Sequence, residues 1–474
     1  MYRVLQHVTV ARSASHDFLI ENPMARYPLR LLSLCAALSA GHCAFAAVTL
    51  QVTASAHTEA AKGVTNPPAD SRQVMDVTLS DDYTAVKMPK VELIYDFKSR
   101  RYRVLDTVNK VYVDYSLYSF AGFRAMELKN RENVNAMLAK AKIDTPLSRQ
   151  VDREHELSVA DGEAVKIDES AGDGMLEFSS EGRKLASWSK AGAKVGAADA
   201  ARFAQFLRYT QAGHPQLLAR LAGDGVIPGR LTFIVNTGVG VRTVSISVAD
   251  VKSARPPAYD LKGYTPRAAR PGDAVGGLAG ELDIMLDRMA ALTPERIAAL
   301  RAAHPCDTAA DYRDDQLLDT MLGRTECVLA TGEPMLPFTP AQLEKMREDP
   351  AVALMLAAVS PKNKEEYEGA VKTLAELRKQ APRKAYVLKL LEANNRLRLG
   401  QRKESLRLFG EVLEANPVLG GAYKDLGDLL LLTGDSPRAW RSWDIGRAIA
   451  PKVPNFTVVN DFEAQLLKRY PEFF

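Results

Sequence analysis

Gly400 and Gly434 lie 34 positions apart, and so do Pro417 and Pro451. The same slots recur between each pair: Ser405 matches Ala439, and Phe409 matches Trp443. A fixed period of about 34 marks stacked helix–turn–helix units, none of which can bury its own apolar face alone. The spacing therefore predicts helical hairpins over the last quarter of the chain. Small residues at Ser405 and Ala439 let two helices approach, Phe409 and Trp443 fill the gap to the next unit, and the two glycines relieve the turns, where a positive φ costs them little. A weaker echo, Ala370, Leu374, Leu377 and Pro382, stands 35 residues before Pro417.

The opening of the chain reads as an address. Arg26 and Arg30 precede an apolar run over 31–38, followed by Ala44, Phe45 and Ala46. Such small residues suit signal-peptide cleavage, placed here between Ala46 and Ala47. The apolar run is shorter than the about 20 residues a membrane helix needs. Residues 1–23 are polar and mixed, so Met24 is read as the start, with a long signal n-region from Met1 as the alternative. Cys43 raises a lipoprotein reading, which His42 opposes by standing where a small residue is wanted. Cleavage leaves about 428 residues, enough for two or three domains, in an exported and most simply periplasmic protein. The net charge of +4, from 62 basic and 58 acidic residues, is too small and too interleaved to imply nucleic acid.

Two cysteines survive that cleavage, Cys306 and Cys327. In an exported chain this favours one disulfide, closing a loop of about 20 residues worth roughly 3 kcal/mol in the chain-entropy model. A reactive thiol beside His304 is the alternative.

Residues 47–72 read as a flexible lead-in that begins with a short strand-like run. From Gln73 the pattern turns β, with strands over 73–79, 91–97, 101–106 and 110–115 separated by short polar turns. Tyr95, Phe97, Tyr102, Tyr112, Tyr115, Tyr118 and Phe120 cluster here, as core or cross-strand pairs or as a ligand-binding face. A helix is expected over 121–142, strands near 151–157, 164–168, 174–179 and 184–190, then helices over 197–209 and 215–222. Strands over 230–236 and 241–248 close the segment through a Gly-bearing hairpin turn. Proline and glycine in 255–272 mark a boundary. The organisation is thus a β-rich domain over 73–265, a linker over 266–275, a helical domain with the disulfide over 276–360, and repeats with a final capping helix over 361–474. The fold class is α+β.

In the helical part, Thr293-Pro294-Glu295 and Thr339-Pro340 are helix starts. Asp307, Asp311, Asp314, Asp315 and Asp319 form an acidic run that lacks calcium-loop spacing and reads as a solvated face. Asp152 to Glu156, around His155, is ligand-rich, but strand alternation would turn His155 away from Glu154 and Glu156. No metal or cofactor is expected. The motifs of zinc hydrolases, serine hydrolases and phosphate-binding loops are absent.

Tyr423, Leu426, Gly427, Gly434, Ala439, Trp443 and Pro451 fit the tetratricopeptide repeat pattern in order, and residues 365–455 resemble that family. The earlier repeat departs from it, with Glu392 and Ala393 where Leu and Gly belong. The resemblance implies an inner groove lined by the first helix of each repeat, here Leu390, Asn394, Leu397, Arg398, Lys424, Asp428 and Leu431. It implies a protein partner. Gly421 and Asp425 occupy positions where a carboxylate clamp would need basic residues, so no such clamp is expected. The order Y-D-F-K-x-x-x-Y-x-V-L-D over 95–106 makes the β-rich domain similar to exported lipoprotein carriers, which implies a half-open barrel for an apolar ligand. Three readings follow: a protein-interaction module, a carrier or sensor of an apolar, lipid-like ligand, and a hydrolase without a recognisable motif.

Overall fold

The computed structural model describes residues 47–143, 165–211, 213–236, 239–254, 258–269, 277–306, 315–335 and 337–474. The leader with its cleavage site at Ala46, the strand expected near 151–157 and the Asp152–Glu156 cluster lie outside them. The described residues form two compact units. One runs to Thr265 and also includes Tyr470–Phe474; the other is Pro266–Arg469. A β-rich unit followed by a helical one makes the fold α+β.

In the first unit twelve strands form one sheet, in the order β14-β6-β5-β4-β3-β2-β1-β13-β12-β9-β8-β7. They are β1 (Ala47–Ala60), β2 (Ser71–Leu79), β3 (Tyr83–Lys87), β4 (Val91–Asp96), β5 (Arg101–Asp106), β6 (Val111–Ser116), β7 (Asp168–Gly172), β8 (Met175–Ser180), β9 (Arg183–Ser189), β12 (Arg230–Asn236), β13 (Gly240–Ala254) and β14 (Thr265–Pro266). The short β10 (Gly192–Lys194) and β11 (Val226–Pro228) pair separately. Three helices accompany them: α1 (Tyr118–Lys140), α2 (Ala197–Thr210) and α3 (Pro215–Gly223).

The flexible lead-in expected over 47–72 is corrected by β1. This strand of 14 residues sits inside the sheet, between β2 and β13. Val48, Leu50, Val52, Ala54 and Ala56 point inward on a period of two. Alanine is a weak strand former, so the strand depends on its partner: Val52 faces Val248 and Ala54 faces Ile246. Only 61–70 remains as a loop between β1 and β2.

One face of the sheet is apolar and carries α2 and α3. Phe203, Phe206 and Leu207 of α2 and Leu217, Leu218 and Leu221 of α3 pack onto Val52, Met75, Val77, Phe233 and Ile246. A smaller cluster of Tyr83, Ala85, Ile94 and Leu105 takes Tyr259, Leu261 and Tyr264 from the segment before β14. Asp96 anchors that segment: its Oδ2 accepts from Arg103 NH1 at 3.2 Å and from the Tyr259 hydroxyl.

The second unit is helical: α4 (Leu278–Arg288), α5 (Pro294–Ala303), α6 (Leu317–Thr331), α7 (Pro340–Glu348), α8 (Pro350–Val359), α9 (Lys364–Gln380), α10 (Ala385–Arg398), α11 (Arg402–Ala415), α12 (Gly420–Leu432), α13 (Ser436–Ile449) and α14 (Phe456–Arg469). The proline-bearing starts act as expected. Thr293 Oγ1 accepts from the Arg296 amide at 3.2 Å, and Thr339 with Gln342 forms a reciprocal capping box. Cys306 and Cys327 are disulfide-bonded with Cα atoms 5.4 Å apart. The helix expected between them, over 314–322, instead runs over α6 and carries Cys327 within it, because Leu317, Leu318, Met321 and Leu322 continue into a longer buried face.

Candidate functional site

The hairpins α10–α11 and α12–α13 carry the 34-residue register. Gly400 (φ 74°) and Gly434 (φ 84°) close their turns in the left-handed region. Ser405 and Ala439 are fully buried, and Phe409 and Trp443 fill the spaces beside them. Ser405 Oγ donates to the Ala393 carbonyl at 2.8 Å, Ser442 Oγ to the Tyr423 carbonyl at 2.8 Å, and Trp443 Nε1 to the Lys424 carbonyl at 3.0 Å. These bonds tie each second helix to the backbone of its first helix, which fixes the side chains that the first helix presents.

Glu392 stands where an apolar residue was expected, and it is 1 % exposed. Arg396 Nε lies 2.7 Å from Glu392 Oε1, and Arg378 NH2 lies 2.7 Å from Oε2. Two guanidinium partners neutralise the carboxylate, with a hydrogen bond to Oε1 and an ion pair alone at Oε2, so α10 accommodates this position by pairing the charge rather than by hydrophobic contact.

The residues expected to line an inner groove differ in how far they are available. Leu390 and Lys424 are buried, at 1 % and 3 % exposure, and are not free to meet a partner. Asn394, Lys424 and Asp428 are engaged within the face: Asn394 Nδ2 donates to Asp425 Oδ2 at 2.8 Å, and Lys424 Nζ to Asp428 Oδ2 at 2.5 Å. Arg398 is exposed, while Leu397 and Leu431 are half-buried. Burial pushes the Asp425 carboxyl up to about 6, against the pull of Lys424. Burial acts to lower the Lys424 ammonium, but Asp428 and Asp425 outweigh it and hold the group above its ordinary range.

Part of this face is covered from within the unit. Helix α6 packs on α10 and α12. Gly421 permits the approach: a Cβ there would stand 2.7 Å from Leu329 Cδ2 of α6. Glu326 of α6, 6 % exposed, is the polar centre of the contact. Its carboxylate accepts from Lys384 Nζ, the Tyr386 hydroxyl and Asn416 Nδ2, each at 2.5 Å. Burial and then the Glu326 charge drive the Tyr386 phenol upward, so it stays a donor. Asp319, from the acidic run, pairs with Arg383 at 3.3 Å rather than facing only water. Helix α4 lies along the second helices, with Asp283 on Arg438 at 2.8 Å and Asp287 on Arg441 at 2.6 Å. No spacing in the sequence marks Glu326, because its donors come from two stretches of chain remote from it, Lys384 with Tyr386 and Asn416.

In the β-rich unit the aromatic residues form a continuous floor. Tyr95 opposes Tyr102 across β4 and β5, and Tyr102 opposes Tyr115 across β5 and β6. Tyr95 stacks on Tyr209 of α2 with centroids 4.4 Å apart, and Phe120 closes on Tyr209 at 4.9 Å. Burial raises the Tyr95 and Tyr209 phenols well above the usual range and Tyr102 to about 12. Tyr209 and its neighbours on α2 were not singled out from the sequence, since the helix reads there only as a core element.

Among the described residues no group of three or more His, Cys, Asp or Glu is placed to hold a metal ion, and no helix is long and apolar enough to cross a membrane. No protein-family model matches the chain, and no curated protein matches it either.

Proposed function

We propose that the chain is an exported envelope protein whose helical repeats, of the tetratricopeptide kind, hold a protein partner. The observation that carries this reading is the repeated first-helix face of α10 and α12. Each second helix is hydrogen-bonded to the backbone of its first helix, through Ser405 in one hairpin and Trp443 in the other, and α6 already lies on one part of it. A surface that accepts one amphipathic helix within the chain has the chemistry to accept another from outside. The part that remains accessible carries Leu397, Arg398, Asp428 and Leu431. The Cys306–Cys327 bond fits an oxidising compartment such as the periplasm. The test uses the full chain: wild type and Arg398→Glu/Leu431→Ala are cross-linked in periplasmic extract and analysed by mass spectrometry. A partner held by wild type and lost from the variant supports the reading. An identical partner set for both overturns it.

A second reading, a carrier or sensor of an apolar ligand, draws on the floor of Tyr95, Tyr102, Phe120 and Tyr209. Against it stands the packing of Phe203, Phe206 and Leu217 onto the sheet, each at most 2 % exposed. Native mass spectrometry after detergent-free purification separates the two: a co-purifying lipid favours the carrier, and a clean apo mass favours the interaction module.

A further inference from the structure

Helix α2 presents Arg202, Gln205 and Tyr209 on one face, at i, i+3 and i+7. That face is in contact with Tyr470–Phe474, a segment remote in sequence that belongs to the same unit. Pro471–Phe473 forms a single 3₁₀ turn there. What α2 reads in it is mostly backbone. Gln205 Nε2 donates to the Glu472 carbonyl at 3.2 Å and toward that of Phe474 at 3.4 Å, and the Tyr209 hydroxyl donates to the carbonyl of Phe473.

The donors are held in place by the helix itself. Arg202 NH1 donates to Gln205 Oε1 at 2.7 Å, which turns the amide NH₂ toward the segment. Gln205 is 8 % exposed, so the amide is committed to these carbonyls rather than to water. Two rings supply the apolar contacts. Phe473 lies under the Arg208 guanidinium at 5.3 Å from its centroid and beside Tyr209 at 6.1 Å, and Phe474 lies 5.0 Å from Tyr118.

Phe473 is buried at 5 % exposure and Tyr470 at 7 %. Neither is among the buried residues that make up the main core cluster of the sheet and its helices, against which Phe474 packs as a partly buried ring. The main cluster is thus built from the sheet and its helices, and the segment is laid against it as an added layer. Backbone carbonyls and adjacent rings are features that a segment of another polypeptide also offers, whereas an acyl chain has no carbonyl row for Gln205 and Tyr209 to bind. We infer that the α2 groove of the β-rich unit is a peptide-binding site for short segments with two adjacent aromatic residues, and that Tyr470–Phe474 is its occupant in cis. The inference is independent of the repeat reading above, since it concerns a different unit and different residues.

A tethered occupant lowers the fraction of chains with an open groove, and the apparent affinity for an added peptide falls by that fraction. The experiment titrates a fluorescein-labelled Tyr-Pro-Glu-Phe-Phe peptide against the full chain by anisotropy. Phe473→Ala/Phe474→Ala should bind it at least about 10-fold more tightly than wild type, with an unchanged circular dichroism spectrum. Adding Gln205→Leu to that variant should abolish the gain. Phe474→Ala alone should give a smaller gain in the same direction. A folded double variant that binds no tighter than wild type overturns the inference. So does a gain that survives Gln205→Leu. A double variant that fails to fold also overturns it, because the segment would then be part of the core. Concentration-dependent dimers of wild type by sedimentation, abolished in the double variant, would assign the groove to a second copy instead and overturn it too.

Discussion

Trp443 packs directly on Gly427: a Cβ at Gly427 would fall 2.3 Å from the indole Nε1, which also donates to the Lys424 carbonyl at 3.0 Å. The first and second helices of the last hairpin are in contact through a missing side chain. Two effects oppose each other on Gly427→Ala. Helix propensity favours alanine by about 1 kcal/mol. Overpacking against an indole that is hydrogen-bonded in place costs about 1–3 kcal/mol or more. The contact is far shorter than any real Cβ contact, so strain wins. Gly427→Ala should lower the stability of the helical unit by about 1–2 kcal/mol in urea unfolding. A stabilised variant would mean the indole can move, and the close packing would not be what the glycine serves.

Glu326 is buried beneath three donors. Glu326→Ala leaves Lys384 and Tyr386 facing each other without an acceptor, and removing one partner of a buried pair costs about 3–5 kcal/mol. Glu326→Gln keeps an acceptor and should lose less. Tyr386→Phe removes one hydrogen bond to a charged group, at about 1.5–3 kcal/mol. Chemical denaturation of the three variants checks the order Ala, then Gln, and detachment of α6 should show as new amide exchange in 317–331. Equal, small losses for all three would place the polar centre elsewhere.

Asp425 offers a pH test. Its carboxyl is raised by burial to about 6 in the folded chain, above its ordinary value of 3.8. A raised folded value means the unfolded state ionises first. The neutral acid's contribution is fully present below pH 3.8 and is lost as pH climbs through 6. Asp425→Asn keeps an acceptor for Asn394 and removes that loss. The variant should match wild type near pH 4 and exceed it by about 1 kcal/mol at pH 7.5, after allowance for the half-buried side chain and for Lys424. Stability curves at the two pH values decide it; a variant less stable at pH 7.5 would show that the Asp425 charge is needed there.

The Cys306–Cys327 bond closes a separation of 21 residues. Replacing both by serine should cost about 3 kcal/mol by the loop-entropy argument. Thiol labelling of denatured, unreduced chain processed to Ala47 should find no free thiol. Two labelled thiols per chain would revive the reactive-cysteine reading at His304 and Cys306.

Local signals were legible wherever the determinants lie within one or two turns of chain. The 34-residue period foretold the α10–α13 hairpins because turn glycines and close-packing small residues act on their immediate neighbours. Strands β4, β5, β12 and β13 followed from alternation for the same reason. The α+β class and the cysteine pair were equally plain in the sequence. Tertiary structure decided the rest. β1 was only half visible because its alanines gain their burial beside β13, at a separation of some 190 residues. Leu390 and Lys424 lie on the expected helix but are buried. Periodicity states which residues share a face and not what covers it, and here α6 covers part of it through Glu326. The contact between Gln205 and the carbonyls of Tyr470–Phe474 leaves no trace in composition or spacing, because an amide that binds backbone places no demand on the side chains opposite.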